Sequence, residues 1–460
     1  MTAFGDATFG AGTFGAALTP APPLEHVGLP HFEWTDRCRP FLELGVGDSR
    51  VPGTAARWDV QEWDDPDAVW AGTEPWWQDV TCEAYEVRIV LGRERTTDRF
   101  DVGTMSVVAT NVSGWADLAP VDADDINTLM LRPGRAIRFG VDHQTLGRRV
   151  LFRGFVDVVD PVYEPGAQVV RLQCIDAAGE VGRVKLSAVA PSGADETVAT
   201  RVARTLAAAQ WPASKQSVDG TSTPLLAVEL DGQVLDLLGT AADSAGGAIF
   251  GDTEAVVCYR AQDWQTFPAN RPVDATIGNV GAGDVCPTRW ERPYARADMA
   301  TRIIVGNTSE PPLRAVIDDP SSFALYGVEG FERTDLSTRD QADLNRLANR
   351  YYFTRGPNTI PRIRTVSFDA RTADNVVDLL TAASPYVPTR YRCRLLLNRG
   401  LVFDQEHYCT GVGYVVTPDG WTADLNLDIS DPFKATSAPR WEPASGADAG
   451  LARWDRATWN

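Results

Sequence analysis

Trp421-Thr422-Ala423-Asp424-Leu425-Asn426-Leu427-Asp428-Ile429 alternates apolar and polar side chains without a break. Successive side chains of an extended strand point to opposite faces, so this stretch predicts a half-buried strand. Trp421, Ala423, Leu425, Leu427 and Ile429 face a core; Thr422, Asp424, Asn426 and Asp428 face solvent, where the aspartates serve as solubilising charges. The same period recurs upstream in Tyr391, Cys393, Leu395 and Leu397. It recurs again in Tyr85, Val87, Ile89 and Leu91, in Ile137, Phe139 and Val141, and in Val170, Leu172 and Cys174. Val150, Phe152, Val156 and Val158 share one phase across Gly154. Turn signals at Arg132-Pro133-Gly134-Arg135 and Glu164-Pro165-Gly166 separate these runs. Short antiparallel strands in a sandwich or barrel are therefore expected.

A helical period takes over in three places. Asp195 is placed to N-cap a helix whose stripe is Val198, Val202, Thr205, Leu206 and Ala209, ending before Trp211-Pro212. A second helix runs over about 233–245 with Val234, Leu237, Leu238, Ala241 and Ala245 on one face, stopped by Gly246-Gly247. A third spans about 340–353 on Leu344, Leu347, Ala348 and Tyr351. Strands are expected between them at 248–250, 255–259 and 302–305.

The chain has 460 residues, 44% hydrophobic and 23% charged, enough for a globular core and, as a soft prior, about three domains. Its 62 acidic and 43 basic residues give a formal charge of −19, which repels phosphate backbones and disfavours nucleic-acid binding. No apolar run approaches the ~20 residues of a membrane span. The start, Met1-Thr2-Ala3-Phe4-Gly5, has neither the basic nor the apolar region of a signal peptide, so synthesis in a cytoplasm is expected. Seven cysteines at 38, 82, 174, 258, 286, 393 and 409 form no CxxC pair, and read as reduced structural thiols.

Two kinds of segment fall outside these periods. Phe4-Gly5, Phe9-Gly10 and Phe14-Gly15 recur every five residues ahead of Pro20-Ala21-Pro22-Pro23. Such an arm builds no core of its own. It reads either as a free terminus or as a segment that docks by its periodic Phe4, Phe9 and Phe14. Residues 57–77 hold Trp58, Trp63, Trp70, Trp76 and Trp77 among several aspartates, and Ala-Arg-Trp-Asp at 56–59 returns at 452–455, giving Trp454 near Trp459. Tryptophan suits a protein interface or a sugar-stacking surface, and equally the small core of a loop-rich subdomain.

Catalytic patterns are sparse. The four histidines, His26, His31, His143 and His407, accompany no Gly-x-Ser-x-Gly, HExxH or P-loop. His407 and Cys409 share a strand face, but two ligands do not make a metal site. Asp122-Ala123-Asp124-Asp125 lacks the central Gly and final Glu of a calcium loop. No catalytic, cofactor or metal residue is assigned, and the expectation is a structural protein rather than an enzyme.

One resemblance rests on the order of several weak motifs. Gly92-Arg93, Asp98-Arg99-Phe100-Asp101-Val102-Gly103-Thr104-Met105-Ser106-Val107-Val108, Asn111 and Gly114 resemble the opening barrel segment of siphophage baseplate hub (minor tail) proteins, above all those of phages infecting actinobacteria. Leu131-Arg132-Pro133-Gly134-Arg135, Leu151-Phe152-Arg153-Gly154-Phe155 and Leu172-Gln173-Cys174-Ile175-Asp176 follow in the hub order: a turn, an F-x-G strand, and a strand ending in Asp. The helix at 233–245 with Gly246-Gly247 is similar to the inserted hub domain, and Ser321 to Gly327 and Gly411-Val412-Gly413 to Trp421 are similar to its closing part. The resemblance covers roughly 80–432.

It implies a mainly β fold with α insertions: two tube-like antiparallel β-barrel domains with a helical insert. The implied division is an arm at 1–35, a Trp/Asp-rich segment at 36–80, a first barrel at 81–190, an inserted α/β domain at 191–290, a second barrel with a helix at 291–435, and a tail at 436–460. It further implies a homotrimer at the virion tail tip. The implied neighbours are a distal tail protein hexamer, the tape measure protein and other minor tail or fibre proteins. DNA passes only through the lumen, and the host surface is met indirectly. The distal tail ring protein of the same tail and a carbohydrate- or receptor-binding tail protein remain as alternatives.

Overall fold

The computed structural model describes residues 37–46, 76–95, 97–111, 131, 133–164, 167–191, 196–220, 223–261, 264, 273–281, 283–291, 299–356, 363–396 and 402–429. The first half holds β1 (Cys38–Val46), β2 (Trp76–Asp79), β3 (Ala84–Gly92), β4 (Thr104–Thr110), β5 (Ala136–His143), β6 (Gly147–Glu164) and β7 (Ala167–Ile175). An insert follows, with α1 (Ala177–Gly182), β8 (Lys185–Val189), α2 (Val198–Ala208), β9 (Gln216–Val218), β10 (Leu230–Gln233), α3 (Val234–Ala245), β11 (Ala248–Gly251) and β12 (Val257–Arg260). After β13 (Ala275–Gly278) and β14 (Arg289–Glu291) comes a small unit of β15 (Arg302–Asn307), β16 (Arg314–Asp318), α4 (Pro320–Tyr326), β17 (Gly330–Leu336) and α5 (Gln341–Arg355). The chain closes with β18 (Thr365–Asp369), α6 (Asp374–Ala382), β19 (Arg390–Leu396), β20 (Val402–Thr417) and β21 (Gly420–Ile429).

The expectation of a mainly antiparallel β protein with helical insertions holds. Thirteen strands join in one sheet ordered β14-β18-β21-β20-β3-β4-β7-β6-β5-β1-β2, with β19 beside β20 and β13 beside β19. Among the described residues this pairing is an open path with one side branch, β19 and β13, and closes into no barrel. Its continuity depends on β20, whose first half pairs with β19 and whose second half pairs with β3, while β21 runs along its other side. The switch is made at a bulge: Thr410 is the extra residue between Cys409 and Gly411. Gly92, at φ +98°, meets it so closely that a Cβ there would lie 2.3 Å from the Thr410 carbonyl oxygen.

The alternating stretch at 421–429 forms β21 as its pattern demands, with Trp421, Ala423, Leu425 and Leu427 all buried. Asp424 is exposed, but Asp428 is not. It lies buried at the strand end, where its charge favours the buried Arg93 guanidinium, so the solubilising role expected for it is corrected. Two more phases are corrected, both by bulges. Asp157 is an extra residue in β6, so Val158 turns outward at 46% exposure and Val159 packs on the core instead. Tyr85 is the extra residue in β3, which buries Ala84 and Val87 and leaves Tyr85 half-buried.

The three expected helices are α2, α3 and α5. Thr197, rather than Asp195, caps α2, its hydroxyl accepting from the Thr200 N–H at 3.2 Å. Gly246 ends α3 in the left-handed region at φ 69°. Asp176, read as a strand end, also caps α1. One apolar core runs the length of the large sheet, from Leu42 and Phe139 to Tyr414 and Trp421. The insert and the small α/β unit each have a separate core.

Candidate assembly surfaces

Among the described residues the main path of the large sheet ends on two short edge strands, β2 and β14, each carrying tryptophan, while its side branch ends on β13. An exposed edge offers unpaired N–H and C=O groups to another chain, and brevity is one way to limit that. At the β2 end, Trp77 is half-buried. The Arg138 guanidinium lies 4.1 Å from its ring centroid and that of Arg153 lies 5.1 Å away. Asp79, Glu43, Arg138 and Arg153 form one cross-strand row over β2, β1, β5 and β6. Arg138 and Arg153 are direct neighbours in that row, a repulsive pairing unless compensated. Glu43 supplies compensation: its buried carboxylate accepts from Arg138 Nε and Arg148 Nη2, both at 2.5 Å. Arg153 reaches Glu254 of the insert at 3.3 Å, and Arg148 stacks 3.8 Å over Phe41. Arginine and aromatic residues so arranged are typical of interface hot spots.

At the opposite end, Trp290 of β14 packs partly buried against the main core, flanked by an exposed Arg289–Glu291 pair at 2.5 Å. A further apolar patch lies on the small unit, where Leu325 is 76% exposed and Val328 57%.

Of the residues singled out by sequence, Trp77 is described in full and Trp76 only as backbone of β2. Phe4, Phe9, Phe14, Trp58, Trp63, Trp70, Trp454 and Trp459 lie outside the described residues, as do Asp122–Asp125, His26 and His31. The arginine row and Trp290 were not singled out. Arg138 stood visible on the polar phase of its strand, but only the β5–β6 register brings Arg153 opposite it.

The remaining polar groups are structural in geometry. His143 Nε2 lies 3.0 Å from Asp378 Oδ1, and its Nδ1 accepts from the Thr145 and Leu146 N–H groups at 3.2 Å. His407 is fully buried, with the Ile363 N–H donating to its Nε2 at 3.3 Å. Burial pushes the Cys38, Cys258, Cys393 and Cys409 thiols up to about 12, far from a reactive thiolate. Among the described residues no three metal-ligating side chains gather. Burial pushes the Asp176 carboxyl up to about 7, against backbone N–H donors from Gly179, Gly103 and Ala178.

No family model matches the sequence, and no curated protein matches it. Solved structures do. A tail protein from Neisseria meningitidis MC58 superposes with a TM-score of 0.54 at 14% identity, over 79% of this chain and 97% of that one. The 43 kDa tail protein of prophage MuSo2 from Shewanella oneidensis gives 0.50 at 11% identity, over 77% and 96%. The chain shares the fold of these tail proteins. At such identities it is the architecture that is common, not the surface chemistry.

Proposed function

We propose that this chain is a structural protein of a phage tail, and more closely the baseplate hub at the tip of a siphophage tail. The observation that carries the reading is the fold shared with two tail proteins over nearly their whole length. In this reading three copies assemble, and the two halves of the large sheet act as the two barrel-like units of each copy. The insert and the small unit are appended to them. The hub joins a distal tail protein hexamer and the tape measure protein to other minor tail or fibre proteins. DNA crosses only in transit, through a lumen that an acidic chain keeps from adhering to it. Contact with the host surface is indirect, and the chain performs no catalysis. Its Trp77 edge and Phe-Gly arm are the surfaces through which neighbours are held, by strand and side-chain docking.

The test is the mass of the purified chain in solution, with symmetry-averaged images of tails carrying it. A trimer and threefold density at the tip are expected. A sixfold ring of this chain replaces the hub with the distal tail protein. A glycan array bound by the pure chain favours a receptor-binding role.

A further inference from the structure

Strand β2 is, among the described residues, the outermost strand at one end of the large sheet, and it reads Trp76-Trp77-Gln78-Asp79. Its two faces differ. Gln78 stands opposite Leu44, on the core face. Trp77 and Asp79 stand opposite Gly45 and Glu43, on the outer face, in line with Arg138 and Arg153. The core-face residue is incomplete: Gln78 Oε1 is buried and has no hydrogen-bond partner among the described residues. Native folds rarely leave such an acceptor unpaired, because its desolvation is then uncompensated. The main chain shows which groups face outward. The Val80 N–H donates inward to the Leu42 carbonyl at 2.9 Å. Backbone groups alternate in direction along an antiparallel strand, so Gln78 also turns its own toward β1, and Trp77 and Asp79 turn theirs away from the sheet.

A second copy of β2, related by a twofold axis normal to the sheet, runs antiparallel to the first and sets core face beside core face. The side chains choose the register. Trp77 opposite itself leaves Asp79 opposite Pro75, which has no N–H to give. Asp79 opposite itself sets like charges face to face, which is destabilising. Gln78 opposite itself avoids both. Trp77 then exchanges backbone hydrogen bonds with Asp79 of the second copy, and the reverse. Each Asp79 carboxylate arrives beside the Trp77 ring over which Arg138 lies at 4.1 Å and Arg153 at 5.1 Å. The two Gln78 amides meet at the axis, where each Nε2 can donate to the unpaired Oε1 of the other. The edge is thus complementary to itself in main chain, in charge and in its one unpaired amide oxygen.

We propose that two copies of this chain pair through their β2 strands, antiparallel, with Gln78 on the twofold axis. The contact is separate from the threefold one proposed above, and joins either two chains or two trimers. A tail runs in one direction from head to tip and has no twofold axis across its length. The pair is therefore the state of the unassembled chain, in which it covers the edge that assembly later uses. That last step rests on the tail reading; the pair itself does not.

The experiment uses the full chain with Gln78→Cys, its exposed Cys82 and Cys286 changed to serine, oxidised by glutathione disulfide over a range of protein concentrations. Residues facing each other between the backbone bonds of an antiparallel pair have Cα atoms about 4.5 Å apart, inside the roughly 4.4–6.8 Å of a disulfide. A dimer linked through position 78 in both copies is expected, identified by mass spectrometry of the peptide. Asp79→Cys, treated alike, should link far less, because position 79 faces 77 and not itself. Asp79→Asn added to Gln78→Cys removes the charge but keeps the oxygen that holds Thr81. It should lower the yield about 2- to 10-fold, the range of two partly exposed ion pairs. No link at 78, or equal yields from 78 and 79, overturns the pair, and a yield untouched by Asp79→Asn overturns the register. Sedimentation of the unaltered chain guards against a misfolded variant: its mass should double with concentration, and a mass that never doubles also overturns the pair. A trimer that never links at 78 keeps the tail reading and loses this one; a sixfold ring from a chain that does link at 78 does the reverse.

Discussion

The chain joins its parts by two kinds of seam, and they differ in almost every physical respect. The β3–β20 seam is backbone pairing over a continuous apolar core, with Ile89, Val412 and Tyr414 buried on its inner face. The seam between the insert and the small unit is polar. There Asp243 of α3 accepts from Arg333 of β17 at 2.8 Å, and it accepts as well from Arg99 of the β3–β4 connection of the large sheet at 2.6 Å. Beside it the Ser337 N–H donates to Ser244 Oγ at 2.8 Å, the Thr338 hydroxyl donates to the Ser244 carbonyl at 2.6 Å, and Arg350 reaches the Gly246 carbonyl. Apolar burial is non-directional and is not screened by salt, whereas ion pairs are directional, screened, and cost desolvation on both sides. The first seam makes one cooperative sheet of two halves. The second fixes an orientation with less net stability.

The strongest way to break this contrast is Trp421→Ala. Trp421 is fully buried against Tyr414, ring centroids 5.6 Å apart. The truncation is expected to cost about 3–5 kcal/mol, read by denaturant unfolding. Because the core is continuous, strands of both halves should lose protection together. Unfolding confined to β18–β21 would show two independent units. Trp421→Phe is expected to cost less, since the indole N–H it removes is buried without a partner.

Asp176 sharpens the comparison, because it ties the sheet to the insert. Its Oδ2 accepts from the Gly103 N–H at the entry to β4 and its Oδ1 from the Gly179 N–H of α1, each at 2.8 Å. Its folded value of about 7 stands above the ordinary 3.8, so the folded state holds a proton that the unfolded state has already lost. Stability from this group is therefore full below about pH 4, falls as pH rises toward 7, and is flat above. The expected span is on the order of 2–4 kcal/mol. The measurement is unfolding free energy of parent and Asp176→Asn from pH 4 to 8. The difference between them should slope across that window, and a flat difference refutes the shift.

Much of the fold was legible in sequence because its strands are half-buried. An uninterrupted alternation such as 421–429 has one solution. Where a bulge enters, the pattern is still present but its phase is not, because the extra residue is decided by the partner strand: Asp157 by β7, Tyr85 by β4. Helices α1 and α6 escaped notice as short segments of 6 and 9 residues, too brief for a clear period. The Trp77 site was half legible. Tryptophan in an acidic segment points to a surface, but the arginines that frame it arrive from β5 and β6 through pairing alone.

The smallest expected effect comes from the polar seam itself. Asp243 is 8% exposed, so its carboxylate is worth keeping only while its arginines stay close. Burial pulls the Arg333 guanidinium down, and its bonds to Asp335 and Asp243 more than reverse that, leaving it raised. Arg99 is 40% exposed and partly screened by solvent, which reduces what that half of the pair contributes. Asp243→Ala removes the shared acceptor and leaves Arg333 with Asp335, and Arg99 with the Thr240 hydroxyl and water. A loss of about 1–3 kcal/mol is expected, below the 3–5 of a fully buried broken pair because both arginines have solvent access. The loss should appear as earlier opening of α5 and β17 in hydrogen exchange, with the large sheet unchanged. Raising salt should weaken the parent's seam toward the variant, and leave the variant itself nearly insensitive. If instead Asp243→Ala lowers protection across β3 and β20 as much as across β17, the two seams are one, and the ionic contacts hold up the sheet rather than orient the units beside it.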